Sequence, residues 1–207
     1  MTTLVRRASL VIVALMTSAC ALTNTGDPAV AASIDDRTIP AAEVDATVAS
    51  IRQSESFQQQ AVGDTSGNLA LDAQTQVVTS YVQSAILNEV AERNDVEVSD
   101  VDIAAARDAL VEQLGGPEAF EAQIDQQGLT EEFVTEQVLR VQQTQQALQQ
   151  EIGPDADFAE FLRTELEDID VEVNPRYGEW SPDNLTVTRF DPLDGVAQAG
   201  AAGTEAP

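Results

Sequence analysis

The chain has 207 residues, 36 Asp and Glu against ten basic residues that are all Arg, and a formal net charge of -26 with a pI near 4.1. That length suits one domain with extensions, and the charge excludes nucleic acid and other polyphosphate partners, whose binding rests on Lys and Arg neutralising phosphates. With no His, no Lys and a single Cys, the chain lacks the parts for Ser-His-Asp and Cys-His nucleophile systems, Ser-Lys dyads, P-loops and zinc sites built from His and Cys.

Residues 1–19 read as an export signal: Arg6 and Arg7, an apolar run from Leu10 to Met16, then the small residues Thr17-Ser18-Ala19. The only cysteine, Cys20, follows directly. This resembles the lipobox of bacterial lipoproteins, although Thr17 stands three residues before the Cys where Leu is usual. The resemblance implies acylation of Cys20 (palmitate among the chains), residues 20–29 as a flexible tether, and attachment to the extracytoplasmic face of a bacterial cell membrane. Cleavage at Ala19-Cys20-Ala21 as an ordinary A-x-A site would instead give a secreted protein. Arg6-Arg7 also fits twin-arginine export, except that Ser9 stands where a bulky apolar residue is usual.

Val30 to Ile34 is predicted as a short strand, Asp35-Asp36 as a turn and Thr38-Ile39 as a second strand. Pro40 then opens a helix with an apolar stripe at Val44, Val48 and Ile51, and the polar stretch from Ser54 to Asn68, with Gly63 and Gly67, reads as a loop that extends or frays it. From Leu71 to Arg93 the residues Val78, Tyr81, Val82, Ala85, Ile86 and Val90 form one helical stripe. Ser99 caps the next helix, with Asp102 placed to close a capping box and Val98 to staple on Ile103. Ile103, Ala106, Leu110, Val111 and Leu114 continue it to Gly115-Gly116-Pro117. A short helix holding Phe120 and Ile124 ends at Gly128. Leu129 then staples towards Val134 across the Thr130 cap, and a long helix carries Phe133, Val134, Val138, Val141 and Leu148 to Gly153-Pro154.

Phe158, Phe161, Leu162 and Leu166 predict another amphipathic helix over 156–167, and Val171 to Pro175 alternates like a strand. A lone hairpin is marginal in water, so this late strand is expected to pair with Val30 to Ile34 and clasp the helices between the chain's two ends. The expected domain is 30–180, followed by an acidic, disordered tail over 181–207. Acidic groups such as Asp95, Glu97, Asp100 and Asp102, or Asp155, Asp157, Asp168 and Asp170, lack the EF-hand spacing and read as caps and solvated loops. No metal site, cofactor or catalytic residue is expected, and no pair of carboxylates stands out as a hydrolase centre.

The order of parts resembles the SurA N-terminal domain of bacterial extracytoplasmic chaperones and the related PrsA-type foldase lipoproteins. The resemblance rests on the strand pair leading to Ile39-Pro40-Ala41-Ala42-Glu43-Val44, the helix at Ala85 to Arg93, the stretch Val96 to Asp102, Phe120 with Gly128 to Phe133, and the returning segment Val171 to Trp180. It implies a mainly α fold with a small β-clasp from N- and C-terminal strands. The parvulin prolyl-isomerase domain common in such proteins does not fit between the long helix and the last one, where only Ile152 to Ala156 lies, so isomerase activity is not carried over. The implied function is a chaperone that holds unfolded or nascent exported polypeptides by shallow apolar contacts, without being an enzyme. The alternative is an envelope adaptor docking one folded partner. Candidate client contacts are Phe57, Tyr81, Phe120, Phe133, Phe158, Phe161, Tyr177 and Trp180, at least one group of which has to be exposed.

Overall fold

A computed structural model of the chain describes residues 27–189. The expected export signal, Cys20, the expected tether up to residue 26 and residues 190–207 of the expected tail lie outside them. The described part is mainly helical, with a three-stranded antiparallel sheet where the two ends meet and a separate two-stranded hairpin.

Strand β1 (Val30–Ile34) is central in the order β2-β1-β3, with β2 (Arg37–Pro40) on one side and β3 (Val171–Val173) on the other. Ala32 faces Val173 and Ile34 faces Val171, so the expected clasp forms in antiparallel register. Side chains reinforce it. Asn174 donates from Nδ2 to the carbonyl of Val30 at 3.1 Å. Asp35, in the turn after β1, accepts the Asp170 backbone N–H at 2.9 Å and pairs with Arg93 at 2.6 Å. Tyr177 donates its hydroxyl to Asp45 at 2.8 Å.

Helix α1 (Ala41–Gln53) buries Val44 and Val48, one turn apart. A second helix, α2 (Glu55–Gly63), then stands where a loop was expected. Ser54 caps it, accepting the Phe57 N–H at 3.2 Å, and its Gln-rich turns are good helix formers. It buries no residue, so it carries no apolar period to betray it. Helix α3 (Leu69–Arg93) is the long central element and buries Val78, Val82, Ile86 and Val90. Helix α4 (Asp100–Leu114) starts at the expected Ser99 cap, which accepts the Asp102 N–H at 3.2 Å. The Asp102 carboxylate takes the Ser99 hydroxyl proton at 2.6 Å, a variation on the capping box. Helix α5 (Pro117–Gln127) turns at Gly128, and Thr130 caps the next helical start as expected.

From residue 131 to residue 152 the chain is one helical rod made of a first turn α6 (Glu131–Phe133), a π-helical stretch (Val134–Leu139) and α7 (Arg140–Ile152). The π turns correct one expectation. Val138 was placed on the buried stripe but is 45% exposed, while Leu139 is buried at 5%. A wider turn brings residue i+5 rather than i+4 under residue i, so Leu139 follows Val134 on the same side. The rod thereby serves two cores. Val134 and Leu139 join Phe120 and Ile124 in a small cluster with α4, whereas Val141 and Leu148 join the main core around α3. Helix α8 (Phe158–Leu166) begins at Asp157, which accepts the Ala159 and Glu160 N–H groups.

A second correction concerns the expected tail. Residues 179–188 form a hairpin of β4 (Glu179–Ser181) and β5 (Thr186–Thr188), with Trp180 opposite Val187. It is fastened to α3, where Thr79 Oγ1 accepts the Val187 N–H at 3.0 Å and Gln83 donates to the Leu185 carbonyl at 2.7 Å. Ordered structure therefore runs past residue 180.

Gly128 closes the approach between α5 and α1. Its φ is +70°, and a Cβ there would sit 2.5 Å from the Ser50 carbonyl oxygen. The Gly128→Ala substitution is expected to lower the free energy of unfolding by about 2 kcal/mol or more. Gly63→Ala, which would meet nothing within 4 Å, should be neutral or raise it by about 0.5 kcal/mol. Denaturant titration of both variants checks the contrast.

Candidate functional site

Four elements converge on one apolar cleft. Helix α3 contributes Ile86 and Leu87, α7 contributes Val141, α8 contributes Phe158, Leu162 and Leu166, and the hairpin contributes Trp180 and Leu185. Each is there for a local reason. The i, i+4, i+8 spacing of Phe158, Leu162 and Leu166 puts them on one side of α8. Trp180 shares a sheet face with its cross-strand partner Val187, which is buried against α3. Gln83 and Gln145 are the polar members of the lining, so the cleft itself carries no charged side chain.

Its volume is about 190 Å³. That is close to the size of a cavity known to admit benzene, so the cleft can take one aromatic or branched aliphatic side chain. A larger groove of about 580 Å³ lies along the sheet, but Ser33, Thr38, Glu172 and Asn174 line it and make it more polar. For an apolar side chain the smaller cleft is the better fit.

The sequence-derived candidates separate clearly. Tyr81, Phe120 and Tyr177 are 7%, 2% and 3% exposed and belong to the cores, so none of them supplies a broadly exposed client surface. Burial is the largest cause raising the Tyr81 and Tyr177 hydroxyl pKa values above the ordinary tyrosine value. Phe57 is half-buried on α2, away from the cleft. Phe133 is half-buried edge-on against Tyr81, with ring centroids 5.8 Å apart. Phe158 and Trp180 meet in the cleft, and Phe161 packs beside Phe158 at 6.2 Å. Sequence reading missed the aliphatic lining, Leu185 most of all. Pro182-Asp183-Asn184 between Trp180 and the alternating Thr186-Val187-Thr188 is a turn signal that could have located it.

Among the described residues no group of three or more His, Cys, Asp and Glu could hold a metal ion, and no helix is long and apolar enough to cross a membrane.

A family model described as the SurA-like N-terminal domain matches residues 2–133, more than half of the chain. The chain belongs to the SurA-like N-terminal domain family. No curated protein and no solved structure matches it significantly. The family is of chaperone type, with polypeptides in general as its substrates, and the matched model is not that of a catalytic domain. In this SurA-like chain the match ends at Phe133, so α7, α8 and the hairpin, which supply much of the cleft, follow the matched stretch. Only residues 153–157 join α7 to α8, the position at which a parvulin domain was considered above.

The cleft is expected to hold one end of a neutral apolar dye such as Nile red, with blue-shifted and enhanced emission. Phe158→Ala combined with Trp180→Ala should reduce the enhancement several-fold, whereas Phe57→Ala should leave it unchanged.

Proposed function

We propose that this SurA-like domain is an extracytoplasmic chaperone that holds unfolded or partly folded exported polypeptides by inserting one apolar client side chain at a time into the cleft between α3, α7, α8 and the hairpin. The observation that carries this reading is the uncharged apolar lining of that cleft in a chain that is otherwise so acidic. A small, open, aliphatic and aromatic pocket favours many similar side chains without selecting one shape, which suits a holder of varied clients. The surrounding negative charge keeps the complex soluble. In this proposal Cys20 carries the acyl anchor on a bacterial membrane and no prolyl-isomerase step takes place.

Trp180 is the only tryptophan of the chain, so the cleft contains its own reporter. The purified protein is expected to suppress aggregation of a chemically unfolded test protein at near-stoichiometric ratios, and its tryptophan emission should shift when a tryptophan-free unfolded client is added. Suppression has to survive moderate salt, because protection by net charge alone is screened within a Debye length of about 8 Å at physiological ionic strength. Loss of suppression in Phe158→Ala with Trp180→Ala supports the cleft. Suppression unchanged in that variant, or absent in the parent protein, overturns it.

A further inference from the structure

A second cleft, of about 270 Å³, lies on another side of α3, between α1 and the start of the helical rod. Its apolar wall is the edge-on ring pair of Tyr81 and Phe133. Its polar lining includes the carboxylates Glu43, Glu132 and Glu136 and no basic residue. Arg140 pairs with Glu136 at 2.7 Å, but Glu43 and Glu132 have no ion-pair partner among the described residues. Two of the hydroxyl protons in the lining, those of Thr47 and Tyr81, are already engaged. Thr47 donates to the Glu43 carbonyl at 3.1 Å, which leaves Tyr81 to donate to Thr47 Oγ1 at 3.1 Å. Gln137, which also lines the cleft, has its buried Oε1 without any hydrogen-bond partner. An aromatic wall beside unpaired carboxylates and an unused amide acceptor is complementary to an organic cation.

We infer that this cleft is a cation pocket that takes the guanidinium or ammonium group of an Arg or Lys side chain on a bound polypeptide. The inference rests on the client-binding reading above and deepens it: clients are preferred in which a basic residue stands near an apolar one. Charge complementarity argues for a client and against any described segment of this chain. All eight arginines from Arg37 to Arg189 already have partners inside the fold, seven in ion pairs and Arg52 on the Ala70 carbonyl, and the chain has no lysine. Burial raises the Tyr81 hydroxyl pKa first, the Thr47 hydroxyl opposes that, and Glu43, by hydrogen bond and charge, and Glu132, by charge, raise it further. The π turns contribute to the geometry, since Glu136 and Gln137 both lie within them. Such turns occur often at functional sites.

The test uses an unfolded peptide with one Arg among apolar residues and the same peptide with citrulline, its neutral near-isostere, at physiological salt. The Arg peptide is expected to bind about tenfold more tightly. Glu43→Gln with Glu132→Gln should abolish that ratio while leaving the affinity for the citrulline peptide unchanged. Glu118→Gln with Glu121→Gln, an equal charge change on the exposed face of α5, should preserve it. A ratio that persists in the first variant, or falls equally in the second, means diffuse attraction to an acidic protein and overturns the pocket.

A second arm does not depend on the client reading. N-acetylargininamide alone should shift the backbone amide resonances of residues 128–137, and N-acetylcitrullinamide should not. Failure of both peptides to bind, with that shift retained, refutes the chaperone reading and keeps the pocket; no shift refutes the pocket itself.

Discussion

Helix α3 imposes the constraint on which the rest of the fold depends. It buries Val77, Val78, Tyr81, Val82, Ile86, Leu87, Val90 and Ala91, a face broader than one neighbouring helix can cover. The chain therefore brings elements from both of its ends. Helix α1 and strand β1 cover one part, α7 and α8 another, and the hairpin a third. Several hydrophobic side chains leave water at each seam, each worth about 1.5–3 kcal/mol when fully buried. With so few aromatic residues, this aliphatic coverage supplies most of the stabilisation. The apolar cleft is the place where that cover is incomplete, so the surface available for a partner is continuous with the core.

Charge is managed around this core by a small stock of cations. Arg37 reaches from β2 to Glu89 and Glu92 on α3, Arg107 from α4 to Glu131, Arg140 from α7 to Asp100, Arg176 to Asp45 on α1, and Arg189 to Asp72. Most of these contacts tie one element to another, and few are spent on neighbours along one helix. Each is partly or largely exposed and worth about 0–1 kcal/mol at most. Their placement matters more than their strength, because seams between elements are where two acidic surfaces would otherwise face each other.

The features that were legible in the sequence are those with their own local chemistry. The α3 stripe, the Ser99 and Thr130 caps and the pairing of β1 with β3 all follow from residue type and spacing. Helix α2 was illegible because it buries nothing and so shows no apolar period. The π turns were illegible because Val138 and Leu139 are equally apolar, and only the packing of α4 and α5 decides which faces inward. The aromatic candidates were ambiguous one by one, since Tyr81, Phe120 and Trp180 look alike as residue types until the cover over each is known. The cleft was hidden for a related reason: its lining comes from four segments, and one of them, around Leu185, lay in a stretch that composition alone marks as tail.

The sheet order has a kinetic consequence. Strand β1 is made near the start of the chain and can pair at once with β2, but its second edge waits for β3, and α3 waits for the hairpin that follows. Synthesis runs from the N-terminus, so the matched SurA-like stretch emerges before the segments that close over it. Until residue 188 is available, the broad face of α3 lacks the part of its cover that the hairpin supplies. For that interval the newborn protein exposes the same kind of apolar surface that a holding chaperone recognises, and the hairpin at the end of the described residues converts it from something that needs shelter into something that can give it.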